Sequence, residues 1–168
     1  MKKSDIRVAH YHLPGLFEFY ELYRMFLPLF FGHREYFYDW CDIGSIYGAP
    51  ADCIWGGGRV GFGDCEPDDV LALMREYGIS ARLTFSNSLL MPEHLADKKC
   101  NELCAMLEKS DKAENGIIVH SDLLLEYLKK NYQGLYFVSS TTKVQTDFEE
   151  FRNEVKSCLL YTSDAADD

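Results

Sequence analysis

Gly116-Ile117-Ile118-Val119-His120-Ser121-Asp122-Leu123-Leu124-Leu125-Glu126-Tyr127-Leu128-Lys129-Lys130 reads as one complete strand-to-helix unit. Ile117 to His120 is a short β-branched run that follows the turn dipeptide Asn115-Gly116. Ser121 or Asp122 then caps a helix that carries Leu124, Leu125 and Leu128 on one face. Lys129 and Lys130 stand at its C-terminal end, where the helix dipole favours cations, and Gly134 stops it. Leu135 to Ser139 follows as the next strand.

The same alternation extends in both directions. Upstream, Ala81 to Ser86 (ARLTFS) reads as a strand. Pro92 and Glu93 open a helix with the stripe Ala96, Cys100, Leu103, Cys104 and Leu107. Further back, Asp52 to Trp55 reads as a short strand stopped by Gly56-Gly57-Gly58. Pro67 opens a helix with Asp68 and Asp69 in its first turn, Val70, Leu71, Leu73, Met74 and Tyr77 on its apolar face, and Gly78 at its end. Ile6 to His10 reads as a first strand, and the helix from Leu16 follows it. Downstream, Thr146-x-x-Glu149 is a capping-box signature for a last helix bearing Phe148, Phe151 and Val155.

The sum is five βα units, hence an α/β fold with a parallel sheet. An open five-stranded doubly wound sheet and the first five units of a truncated TIM-type barrel compete. The C-terminus Cys158 to Asp168 (CLLYTSDAADD) decides between them. It resembles the translation of a transposon-end sequencing adapter. The expectation is a single α/β domain over residues 1–157, C-terminally truncated, followed by a non-native tail over 158–168. A barrel takes about 250 residues, so five units in about 157 residues favour the truncated barrel.

Apolar and charged fractions of 47% and 26% are those of a globular chain. The net charge is −10, with Asp164, Asp167 and Asp168 contributing to it from the tail. That balance carries no strong nucleic-acid signal. Met1 to Ile6 lacks an apolar signal core, and the cysteines are scattered, so reduced thiols in a cytoplasm are expected. Leu16 to Phe31 is strongly apolar but includes Glu18, Glu21, Arg24 and Pro28. It is too short and too charged to span a membrane, and the aromatic region 16–38 is a candidate protein-docking segment.

Active sites of α/β barrels lie at the C-terminal ends of the strands. That rule selects His10, His12, Asn87, His120 and Lys143 as candidate catalytic residues, and Gly56, Gly57, Arg59, Ser140 and Thr141 as candidate ligand-binding residues. His10 and His12 are two apart on a strand and share a face, which suits a divalent metal if His120 supplies a third ligand. Gly56 to Gly63 allows backbone N–H groups to approach an anion, with Arg59 as counter-charge. A structural glycine turn is the ordinary reading of that stretch. Cys100 and Cys104 share an apolar helix stripe and are expected in the core. Cys53 and Cys65 show no spacing that suggests a site.

Several segments resemble the collagenase-like peptidase U32 family. Tyr47-Gly48-Ala49-Pro50-Ala51-Asp52-Cys53-Ile54-Trp55-Gly56-Gly57 is similar to its "YGADAVYLGG" stretch, and Gly61-Phe62-Gly63 stands where it has Phe-Gly or Phe-Ser. Leu83 to Leu90 resembles "VTLNTLL", with Asn87 on the Asn. Gly116 to Asp122 resembles "IVSDLG", and Ser139-Ser140-Thr141-Thr142 stands where the family has "ASTQ". The chain departs from the pattern at His10 to Gly15, where the family has Pro-Ala-Gly, in about twenty extra residues before the second strand, and at Thr142 in place of Gln.

The resemblance implies a barrel whose intact parent is an enzyme or enzyme partner modifying RNA or a small aromatic precursor. It also implies a [4Fe-4S] cluster held by cysteines beyond Ser157. The alternatives are a metal-dependent hydrolase barrel using His10 and His12, and a non-catalytic barrel that docks a partner through its aromatic helix.

Overall fold

The computed structural model describes residues 8–57, 65–109, 112–144 and 146–156. Five strands, β1 (Ala9–Pro14), β2 (Cys41–Gly48), β3 (Ser80–Phe85), β4 (Gly116–Val119) and β5 (Tyr136–Ser139), form one all-parallel sheet in the order β1-β2-β3-β4-β5. Five helices alternate with them: α1 (Tyr20–Gly32), α2 (Pro67–Tyr77), α3 (Lys98–Glu108), α4 (Asp122–Asn131) and α5 (Phe148–Lys156). The fold is therefore α/β, built of parallel βα units. Its strand order runs with the sequence and has no point of reversal. Right-handed crossovers in that order put successive helices on one face of the sheet, as in the arc of a barrel.

The two faces of the sheet differ. Towards the helices point Ile46, Ala81, Leu83, Phe85, Ile117, Val119 and Phe137, all buried in one apolar cluster with Val70, Met74, Leu103, Leu107, Leu124 and Leu128. The opposite, inner face carries His10 and His12 of β1, Ser45 and Tyr47 of β2, Ser80, Arg82 and Thr84 of β3, Ile118 of β4, and Tyr136 and Val138 of β5. A parallel strand buried on both sides usually reads as a continuous apolar run. Strand β3 alternates instead, with every inner-face residue polar.

Local chemistry explains the element ends. Helix α2 starts with Pro67 at its first position and ends at Gly78, whose φ of 65° lies in the left-handed region that only glycine adopts at little cost. Ser121 caps α4 by accepting from the Leu124 N–H.

Five boundaries differ from the sequence expectations. The first strand lies at Ala9–Pro14 rather than 6–10, and residues 1–7 lie outside the described ones. The second strand is Cys41–Gly48, whereas Ile54–Gly56 is a 3-10 turn. Asp52 has a φ of 55°, so the chain bends there and cannot extend into a strand. The helix expected from Pro92 is split: Pro92–Ala96 is a 3-10 turn, and α3 starts afresh at Lys98 because the Asp97 carboxylate accepts the Cys100 N–H at 2.8 Å. Helix α1 starts at Tyr20, leaving Leu16 and Phe17 as buried loop residues. Asp147 caps α5 in place of Thr146, accepting from the N–H groups of Glu149 and Glu150 at 2.9 Å each. The tail 158–168 and Arg59 lie outside the described residues.

Candidate functional site at the strand ends and inner sheet face

The C-terminal ends of β2 to β5 form a continuous rim. At the β2 side, the turn Ile54–Gly57 and Asn87 line a cleft of about 370 Å³ together with Asp52 and Cys53. Asn87 holds this corner: its Nδ2 donates to the Ile54 carbonyl at 2.8 Å, its backbone N–H donates to the Trp55 carbonyl, and its Oδ1 accepts from Leu89. Gly57 passes close to it with a φ of 82°, and a Cβ there would lie 3.5 Å from the Asn87 nitrogen. The expected residues Gly56, Gly57 and Asn87 thus meet, but the Asn87 amide is committed to bracing the rim.

At the β4–β5 side, His120 follows β4 directly, and its N–H donates to the Phe85 carbonyl. Its Nδ1 is 2.8 Å from Thr142 Oγ1, which in turn is 2.8 Å from Ser140 Oγ. This line fixes the imidazole plane and commits Nδ1. Thr141 is exposed beside it.

Lys143 is 2.7 Å from Asp122 and 3.1 Å from Glu154, and Glu154 also accepts from the Ser139 hydroxyl. Burial alone would lower the Lys143 pKa. The hydrogen bonds to Asp122 and Glu154 outweigh it and hold the amine above its ordinary 10.5. Lys143 is therefore a charged clamp between β5, α4 and α5.

His10 and His12 share the inner face of β1, as their spacing predicts, but they stand on an edge strand and not at a strand end. A bulge in β2 sets Gly44 and Ser45 against His12. A Cβ at position 44 would lie 2.9 Å from His12 Cε1, so a larger residue there would have to displace the imidazole. His12 Nδ1 is 2.8 Å from Ser45 Oγ, and His10 Nδ1 is 3.7 Å from Asp42. His120 stands three strands away, just past the end of β4. Among the described residues no group of three or more His, Cys, Asp or Glu side chains is placed to hold a metal ion. The divalent metal expected at His10 and His12 finds no third donor among them, and the cysteines the resemblance implies for an iron–sulfur cluster would lie beyond Ser157, outside the described residues.

Partial burial, then the Arg82 guanidinium, then His10 lower the His12 pKa from 6.5. The unfolded chain therefore binds this proton first, and the folded state loses stability as pH falls from about 6.5 through the folded pKa. We expect His12→Gln to flatten the slope of unfolding free energy against pH in that window. Urea melts at several pH values check this, and an unchanged slope would remove His12 as the cause.

The inner face holds a network that the strand-end rule does not select. The Tyr136 ring crosses over Gly116 from β5, and its hydroxyl meets Ser80 Oγ at 2.7 Å and Arg82 Nε at 2.6 Å. The signal for it was the polar alternation Ser80-x-Arg82-x-Thr84-x-Ser86 in a strand with helices on one side only.

The cysteines also meet unexpectedly. Cys53 Sγ lies 3.0 Å from Cys100 Sγ, although their spacing gave no hint of it. The contact with Cys53 and burial push the Cys100 thiol up, and burial does the same to Cys104. Cys100 and Cys104 are core residues, as their stripe implied. Cys41, Cys53, Cys100 and Cys104 are free thiols.

No protein-family model, no curated protein and no solved structure matches the chain. The site's own geometry therefore bears the functional argument. No helix among the described residues is long and apolar enough to cross a membrane.

Proposed function

We propose that this chain is a peptidase U32-like barrel arc that binds a small aromatic molecule at its strand-end rim and moves a proton through His120. The observation that carries this reading is the line Ser140–Thr142–His120 at the ends of β4 and β5, which orients one imidazole and leaves Nε2 for a ligand. Three of the segments that resemble the family, around Asn87, His120 to Asp122 and Ser139 to Thr142, end on this rim. The segment Tyr47 to Gly57 supports it less, because the strand it implies is a turn. An acidic chain favours a small molecule over RNA as the substrate.

Titration of the full chain with benzoate, benzyl alcohol and a single-stranded RNA hexamer, followed by NMR, tests the reading. Saturable binding of at least one aromatic, weakened about tenfold or more by His120→Ala, is expected, in line with about 1.4 kcal/mol per tenfold. Binding of RNA alone, or of none of the three, would contradict it.

A second reading, a protein-docking arc, is favoured by α1. Its inward face is Tyr23, Leu27 and Phe30, yet Leu22, Met25 and Leu29 are 58%, 71% and 56% exposed on the outward side. Among the described residues β1 pairs on one side only, so a partner could add a strand there and cover the α1 stripe with an apolar surface.

A further inference from the structure

The inner face of β3 presents Arg82 and Thr84, and Ser86 continues the same column towards the rim. Thr84 is 5% exposed, and its Oγ1 has no hydrogen-bond partner among the described residues. Ser86 Oγ is likewise buried and unpartnered. Buried hydroxyls nearly always find a partner, so two orphans in one column on one strand mark a place where something else supplies one. Deeper in the same column, Arg82 is 7% exposed. Its Nε donates to the Tyr136 hydroxyl, but among the described residues no carboxylate faces it. The titratable neighbours on this face are His10 and His12, with Asp42 placed beside His10 at the far end of β2. A mostly buried arginine that no described carboxylate faces can take an anion, and its planar fork suits an oxyanion with two oxygens.

We infer that the column Arg82–Thr84–Ser86 is a binding site for a small molecule bearing a carboxylate or phosphate, entered from the rim with the anionic group innermost on Arg82. The Thr84 and Ser86 hydroxyls meet polar atoms further along the ligand, and the remainder lies under His120. This assignment rests on the rim reading above and extends it by naming the charged group of the ligand.

The test uses the full chain at constant ionic strength with three probes: benzoate, inorganic phosphate and benzyl alcohol. The site predicts saturable binding of benzoate or phosphate at least tenfold tighter than of benzyl alcohol. A preference for benzoate identifies a carboxylate ligand, and a preference for phosphate identifies a phosphate ester. Arg82→Gln should weaken oxyanion binding tenfold or more. Thr84→Val and Ser86→Ala should each weaken it severalfold without lowering the melting temperature of the free protein, because neither hydroxyl has a partner to lose. These two variants keep the test decisive if Arg82→Gln does not fold. Equal affinity for benzoate and benzyl alcohol would overturn the Arg82 assignment while leaving the rim reading intact. Oxyanion affinity unchanged in both hydroxyl variants would overturn it as well. No saturable binding of any probe would overturn both readings.

Discussion

Trp55→Ala is expected to lower the stability of the fold by about 3–5 kcal/mol, the range for a fully buried aromatic cut to alanine. Trp55 is completely buried although it sits in a 3-10 turn between β2 and α2. Its ring meets Phe85 edge-on at 5.2 Å and Tyr127 at 6.0 Å, so it joins the turn to β3 and to α4. Its Nε1 donates to the His94 carbonyl at 2.8 Å, which ties in the 3-10 segment before α3. The truncation leaves a cavity at the junction of four elements and an unpaired carbonyl. Total stability of a domain is only about 5–15 kcal/mol, so the variant should be largely unfolded at modest urea. Ile54→Ala, one residue away but exposed, should change stability by about 0.5 kcal/mol or less. Urea melts of the two variants decide it. Equal, small effects would mean that the turn is not packed as described.

Gly116→Ala is expected to cost about 2–4 kcal/mol and to abolish ligand binding on the inner face. A Cβ at position 116 would lie 2.4 Å from the Tyr136 ring, which has only backbone beneath it at present. The ring must swing away, and its hydroxyl then leaves both Ser80 and Arg82. The loss at Arg82 is the larger, because it strips the Nε of a mostly buried arginine of its described hydrogen-bond partner. The cost should shrink below about 1 kcal/mol in a Tyr136→Ala background, where there is no ring to displace, and such non-additivity is the signature of direct contact. Additive effects in the double-mutant cycle would show that the ring does not lie over Gly116.

The βα alternation was legible because its signals are local. Pro67 and Gly78 bracket α2 by their backbone preferences, and Ser121 announces α4 by a cap. The second strand was not legible. Cys41-Asp42-Ile43-Gly44-Ser45-Ile46-Tyr47-Gly48 has two glycines and two polar residues, and it is a strand because β1 and β3 pair with it on either side. Asp52 to Trp55 looked more like a strand by composition, but its apolar residue Trp55 is buried through a turn. At the site, strand-end position correctly brought Asn87, Gly57, His120 and Ser140 onto one rim. It could not show that the Asn87 amide is committed to the Ile54 carbonyl, or that Lys143 is clamped by Asp122 and Glu154, since both depend on residues remote in sequence. Arg82, Thr84 and Ser86 carry no strand-end signal; theirs is a polar alternation along β3.

Residue-resolved amide shifts of the full chain titrated with benzoate measure directly where a ligand lands. The predicted result is a saturable set of shifts at Arg82, Thr84, Ser86 and His120. A contradictory result would be shifts confined to the opposite end of the strands, around Glu108, Asn115 and Gly134, where a cleft of about 250 Å³ opens.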